Sequence, residues 1–390
     1  MIFPIIVALV FYLVIPGIGA FTTRAKWRWF RKSMIRISLR PEVSYAALRR
    51  PDGEMPGSYR IIGSLQAIQG EDVIWVKSGS VTVAAELSGV DVYVLPVPEY
   101  SAAKDGIEHY DVTMSELMPR RMPWNSIFSL PEGTELLISG TLHIDGGTGV
   151  FRSDGNCPLL VVIFEGEPET IVPRSIWIGR QRNEYWTRFT PLSVTAGSFA
   201  LFLIAYSLFK VPLLRLPAML TLTLSLFPVI PFIPPGVVLL FFYRLFWKRA
   251  RILRAERDLF RLPLRYFDDA HDLDEPRTMP NGERYGLKKF TSCSEAAGTC
   301  GGIVRSSILL RDERARSTEC WVFGAVDNGE ITTPADPLSE MVLVPGHPEE
   351  LAHRCNARAR MFEIYSGLLF ASGFLLNGFL LLFVISMLIR

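Results

Sequence analysis

In 390 residues, 49% of them hydrophobic, four long stretches carry no charge at all, which excludes an ordinary soluble chain. The formal net charge of +2 selects no class of partner, because the positive charge is gathered at the ends of those stretches.

The first stretch, Ile2 to Phe21, lacks a basic leader and a small-residue cleavage pattern and runs into a basic cluster. It is expected to be an uncleaved membrane helix (1–22). Residues 23–190 form the first soluble part, opening on Arg24, Lys26, Arg28, Arg31, Lys32, Arg36 and Arg40 with interleaved tryptophans, a composition suited to lipid headgroups. Beyond Gly57 come short alternating runs rich in Val, Ile, Leu and Tyr. Strands are predicted over Tyr59–Leu65, Asp72–Val76, Ser80–Glu86, Asp91–Leu95, Glu135–Gly140 and Leu159–Phe164, and Tyr100–Trp124 is expected to be irregular. A second span is expected at 191–209 and a third at 211–246. Pro228, Pro231, Pro234 and Pro235 interrupt the third, which is read as one kinked helix. Residues 247–362 form a second soluble part and 363–389 a fourth span.

Lysine and arginine crowd the inner ends of all four stretches, whereas the link between the second and third holds only Lys210 and Arg215. The positive-inside rule then puts both soluble parts in the cytoplasm and both termini outside. Arg28, Arg31, Lys32, Arg180, Arg182, Arg249, Arg251, Arg358 and Arg360 are the expected membrane-surface anchors.

The second soluble part reads as a shorter copy of the first. Leu137-Ile-Ser-Gly140-Thr-Leu142 is echoed by Trp321-Val-Phe-Gly324-Ala-Val326. Gly166-Glu-Pro168-Glu169 recurs as Gly346-His-Pro348-Glu349, and Arg180-Gln-Arg182 as Arg358-Ala-Arg360. Proline pre-sets a turn and the glutamates favour a helix N-terminus. The expected fold class is therefore an α+β membrane protein: four transmembrane helices and two small strand-rich, barrel- or sandwich-like cytoplasmic domains related by internal duplication.

These stretches resemble the GIDE-type "beside a membrane" domain, known from mitochondrial membrane E3 ubiquitin ligases and from many prokaryotic proteins. The resemblance rests on Tyr59-Arg-Ile-Ile-Gly63-Ser-Leu65-Gln-Ala67, on Gly89-Val-Asp-Val-Tyr-Val-Leu95, on Gly133-Thr-Glu-Leu-Leu-Ile-Ser-Gly140-Thr-Leu142, and on Arg180-Gln-Arg182 with a tryptophan before the next span. It covers most of the first soluble part and about half of the second. The ligases carry a RING domain with closely spaced zinc-binding Cys and His pairs. No Cys-x-x-Cys occurs here, so ligase activity is not implied.

No phosphate loop, His-Glu-x-x-His or Gly-x-Ser-x-Gly is present, and no catalytic residue, cofactor or metal site is expected. Cys293, Cys300, Cys320, Cys355 and His353 lack zinc-knuckle spacing, and the five cysteines are expected to be thiols. The acidic run Asp268, Asp269, His271, Asp272, Asp274 and Glu275 reads as a solvated, charge-balancing linker. The apolar stretches hold no interior ionisable group of the kind that marks an ion pathway. The expected function is a non-catalytic membrane scaffold or accessory protein. Its partners are lipids and another protein, with no nucleic acid. A transport or channel component is the alternative.

Overall fold

The computed structural model describes residues 2–49, 57–96, 107–108, 120–127, 129–155, 157–181, 187, 189–267, 273, 275–310 and 319–388. Arg182, most of the acidic run and most of Tyr100–Trp124 lie outside them. The chain divides into two compact units. One comprises Met1–Trp29, Asn183–Arg251 and Ala357–Arg390, the other Phe30–Arg182 and Ile252–Asn356.

The first unit is helical. Helix α1 (Ile2–Leu9) passes through a π-helical turn (Val10–Val14) into α2 (Ile15–Ser38). Beyond the short α3 (Tyr45–Leu48) and α4 (Ile171–Gln181), which belong to the other unit, come α5 (Phe189–Phe209), α6 (Arg215–Ser225) and α7 (Gly236–Phe260). Among the described residues, three helical stretches are long and apolar enough to cross a membrane: Ile2–Ser38, Phe189–Phe209 and Pro348–Met387.

The third apolar run differs from the kinked helix expected of it. Helix α6 stops at Ser225, after roughly half of a bilayer core at about 1.5 Å per residue. Turns and a 3-10 segment (Ile230–Phe232) then carry the chain through the prolines to Gly236. Each proline lacks the N–H that a continuing helix needs. The carbonyls left over find a donor: Asn377, fully buried, donates from Nδ2 to the oxygens of Ile230 and Ile233 at 2.7 and 2.6 Å. The π-turn is served in the same way, with Ser193 Oγ donating to the Phe11 carbonyl at 2.6 Å. Small residues on α5 allow the approach, since a Cβ on Gly197 would collide with Phe11.

The second unit holds two sheets. The first contains β1 (Gly57–Gln69), β2 (Val73–Ser78), β3 (Val81–Glu86), β4 (Asp91–Val94), β6 (Arg120–Pro123), β7 (Glu135–Asp145), β8 (Thr148–Arg152) and β9 (Leu160–Ile163). Five strands close on themselves: β1 pairs β2, β2 pairs β3, β3 pairs β8 in parallel, β8 pairs β7, and β7 returns to β1. A register shift between Leu65 and Ala67 lets β1 serve both neighbours. This is the connectivity of an OB-type barrel, a likeness of strand order that brings no ligand with it. Alternate side chains of these strands, among them Ile61, Ile74, Val83, Ile138 and Phe151, fill the interior. Strands β9, β4 and β6 extend the sheet from β7.

The second sheet contains β10 (Arg277–Thr278), β11 (Arg284–Phe290), β12 (Ile303–Arg305), β13 (Cys320–Asp327), β14 (Glu330–Thr332) and β15 (Val342–Val344). The short strand β5 (Ile107–Glu108), from the first soluble part, pairs in parallel with β12 at its edge. Helix α8 (Cys293–Cys300) lies between β11 and β12 in the chain, and α9 (Pro348–Leu388) follows β15.

The ladders of the two sheets agree in register when Gly324 is set on Gly140. Ile138 lies opposite Val161, as Val322 lies opposite Leu343; Val161 pairs in parallel with Val92, as Leu343 does with Val304. Thr141 faces Arg152 as Ala325 faces Thr332. Among the described residues the β2–β3 pair has no strand counterpart in the second sheet; α8 occupies that place in the chain order.

Candidate functional site

The two sheets meet through a buried ion pair. Arg60 on β1 reaches Asp336, beyond β14, at 2.5 Å, with side chains 2% and 0% exposed. Arg60 Nε also donates to the Arg40 carbonyl at 2.8 Å, and Asp336 Oδ1 accepts from the Leu338 amide at 2.9 Å. A buried pair is tolerated where other hydrogen bonds fill its remaining valences, and losing one partner strands a charge. Burial, opposed by the Arg60 charge, pushes the nearby Glu42 carboxyl upward.

A second polar cluster gathers where the end of α7 meets the strand–loop 303–310. Burial pushes the Glu256 carboxyl up to about 7, against hydrogen bonds from Ser307 Oγ (2.5 Å) and the Ile308 amide (2.6 Å) that favour its ionised form. Ser307 Oγ also accepts from the Leu309 and Leu310 amides, so one glutamate organises the whole turn. Beside it Arg305 donates to the Leu259 carbonyl and pairs with buried Glu340. A cavity of about 10 Å³ touches Trp177, Glu256, Phe260, Arg305 and Ser306. That is room for about one water and for no substrate. The cluster can hold or release a proton. Ser307 Oγ lies beside the Glu256 carboxylate, but it is engaged by the Leu309 and Leu310 amides and faces no space that a substrate could enter.

The expected membrane anchors divide. Arg28, Lys32, Arg249, Arg358 and Arg360 are exposed, as a headgroup contact requires. Arg31 is buried and donates to the Gly179 carbonyl at 2.7 Å, which removes it from the surface set. Its position on α2 turns it, like Phe30 and Met34, into the packed face. Arg180 is committed to Asp258 of α7 at 2.6 Å, and Arg251 lies over the Trp247 ring at 5.2 Å.

The repeated glycines and prolines have matching local reasons. A Cβ on Gly140 would stand 3.3 Å from the Arg152 carbonyl oxygen, and one on Gly324 2.8 Å from that of Thr332, the equivalent hairpin neighbour. Gly166 and Gly346 adopt φ of 93° and 101°, which side chains rarely take. Pro168 opens the turn into α4 and Pro348 opens α9.

Within the stretch Tyr100–Trp124, Arg120–Pro123 is strand β6 and Trp124 is buried in the barrel core, its Nε1 donating to the Glu71 carbonyl. That end of the stretch is structural. Among the described residues, no group of three or more His, Cys, Asp and Glu side chains is placed to hold a metal ion. Glu256 and Asp336 were not recognisable as site residues: each lies in a charged or loop-like context, and nothing local announces its burial. No protein-family profile, curated protein or solved structure matches the chain.

Proposed function

We propose that this chain is a non-catalytic multi-pass membrane scaffold or accessory protein whose two strand-rich halves act as one cytoplasmic platform for a protein partner. The observation that carries this is the joining of the two sheets within one compact unit by the buried Arg60–Asp336 pair and by β5 on the edge of β12. Two domains locked in this way offer a composite surface that neither has alone.

The reading includes four crossings, α6 and α7 being the two arms of a broken third. The donation from Asn377 to the carbonyls of the break supports it, because irregular backbone inside a bilayer must be satisfied by neighbouring protein. It also includes duplication of a GIDE-like unit, supported by the shared register of three ladders and by the paired glycines. The cytoplasmic placement of both halves, and of both termini outside, rests on the arginine and lysine bias.

The decisive experiment is cross-linking and affinity recovery from native membranes, comparing the intact chain with one lacking residues 109–119, between β5 and β6. The expected result is a stable protein partner with the intact chain and its loss with the deletion, membrane insertion being unchanged. Recovery of no specific protein, or equal recovery from both, overturns the assignment. Thiol labelling of Cys157 or Cys293 from outside intact cells would sink the topology. The transport alternative draws on the broken third run, and flux through reconstituted vesicles would favour it.

A further inference from the structure

Helix α8 replaces a strand pair of the first sheet, and it brings thiols to the core of the second. Cys293 and Cys300, at its two ends, are half-buried and pack against the cluster containing Cys320, Val322 and Leu343. Cys320 is fully buried at the start of β13, opposite Phe290 on β11, three residues before Cys293 in the chain. The Cys293 and Cys320 thiols share a hydrogen bond, and none of the five cysteines is in a disulfide. Two thiols in mutual contact, one reachable from solvent and one behind it, are the arrangement thiol–disulfide exchange requires.

We propose that Cys293 and Cys320 form a thiol–disulfide exchange site that accepts oxidising equivalents from small disulfides. Cys293, the accessible member, attacks one sulfur of a disulfide RSSR as its thiolate. The S–S bond breaks, a Cys293–SR bond forms, and the departing RS⁻ takes up the proton that Cys293 released. Cys320 then gives up its proton and attacks Sγ of Cys293, expelling the second RS⁻, which is protonated in turn. Two protein thiols are oxidised by two electrons to one disulfide, and RSSR is reduced to two RSH. The hydrogen bond to Cys293, followed by burial, pushes the Cys320 thiol up and keeps it protonated while Cys293 is unmodified; bonding Cys293 to SR alters the first of these causes. The product staples α8 to β13 and so closes covalently the side of the second sheet that lacks a β2–β3 pair.

The test uses the full chain in detergent, equilibrated with glutathione buffers of graded oxidised-to-reduced ratio, quenched in acid, alkylated and digested without reduction. The expected result is a peptide pair joined through Cys293 and Cys320, lighter than its parts by two hydrogens and released by dithiothreitol. Cys293→Ser should abolish it and Cys300→Ser should leave it intact. Cys320→Ser should accumulate a glutathione adduct on Cys293; if that variant does not fold, the cross-link in the unaltered chain and in Cys300→Ser still decides. A link between Cys293 and Cys300 instead, or no link at the most oxidising ratio, overturns the proposal.

Discussion

The two halves of the strand-rich unit share three ladders in register but hold themselves together differently. In the first, five strands close into a barrel, so backbone hydrogen bonds satisfy both edges of each strand. Two of its buried arginines reach backbone carbonyls, Arg174 those of Glu165 and Pro96 and Arg31 that of Gly179, while Arg60 reaches across to Asp336 of the second half. In the second, the β2–β3 pair is missing, and side chains do the closing. Among the described residues every buried acid, namely Glu256, Asp336 and Glu340, lies in this half. A carbonyl cannot titrate and a carboxyl can. The second half, which holds the buried carboxyls, should therefore answer more strongly to pH than the first.

The largest effect tests the point where the halves meet. Asp336→Ala leaves Arg60 buried without its carboxylate and should cost about 3–5 kcal/mol, read by chemical denaturation or limited proteolysis of the strand-rich unit. Replacing both partners by apolar residues, Arg60→Met with Asp336→Leu, should recover most of it. A tolerated Asp336→Ala would mean that the pair does not couple the sheets.

Next comes Glu256. Its pKa is raised on folding, so the stability tied to its protonated form is complete below the ordinary carboxylate value of 4.5. That stability is lost as pH rises through about 7, a fall of about 3 kcal/mol. Hydrogen exchange measured either side of pH 7 should loosen the second sheet at the higher pH while the barrel stays protected. Glu256→Gln should flatten the response and be the more stable protein above pH 7. An unchanged profile in that variant would remove Glu256 as the titrating group.

The glycines sharpen the likeness rather than the difference. Gly140→Val and Gly324→Val should destabilise by similar amounts, about 1–3 kcal/mol each, because each side chain meets the equivalent hairpin carbonyl. A large cost at one position and none at the other would argue against equivalent folds. The smallest effect lies in the helical unit. Asn377→Leu removes the donor to Ile230 and Ile233 and should cost about 1 kcal/mol in detergent unfolding, with altered protease sensitivity around residues 226–235.

Much of this was legible in the residues. Strands predicted at Tyr59–Leu65, Ser80–Glu86, Asp91–Leu95 and Glu135–Gly140 overlap β1, β3, β4 and β7, because a half-buried strand writes its alternation directly into the chain. The recurrence around Gly140 and Gly324 was visible for the same reason, since a close backbone approach admits one residue type. The third apolar run misled, because hydropathy counts side chains while prolines break helices through the backbone. Arg31 misled too: charge alone cannot tell a headgroup contact from a buried donor to a carbonyl.

By itself, then, the sequence determined that long apolar helices accompany two strand-rich segments, expecting four such spans where three helices are long and apolar enough among the described residues, because both features follow from local periodicity and composition. Only the tertiary structure decided that a barrel closes in the first half, that Arg60 finds Asp336 far along the chain, and that Glu256, Cys293 and Cys320 come to sit beside partners. Burial and long-range pairing depend on how segments pack in space, and no local pattern of residues encodes them.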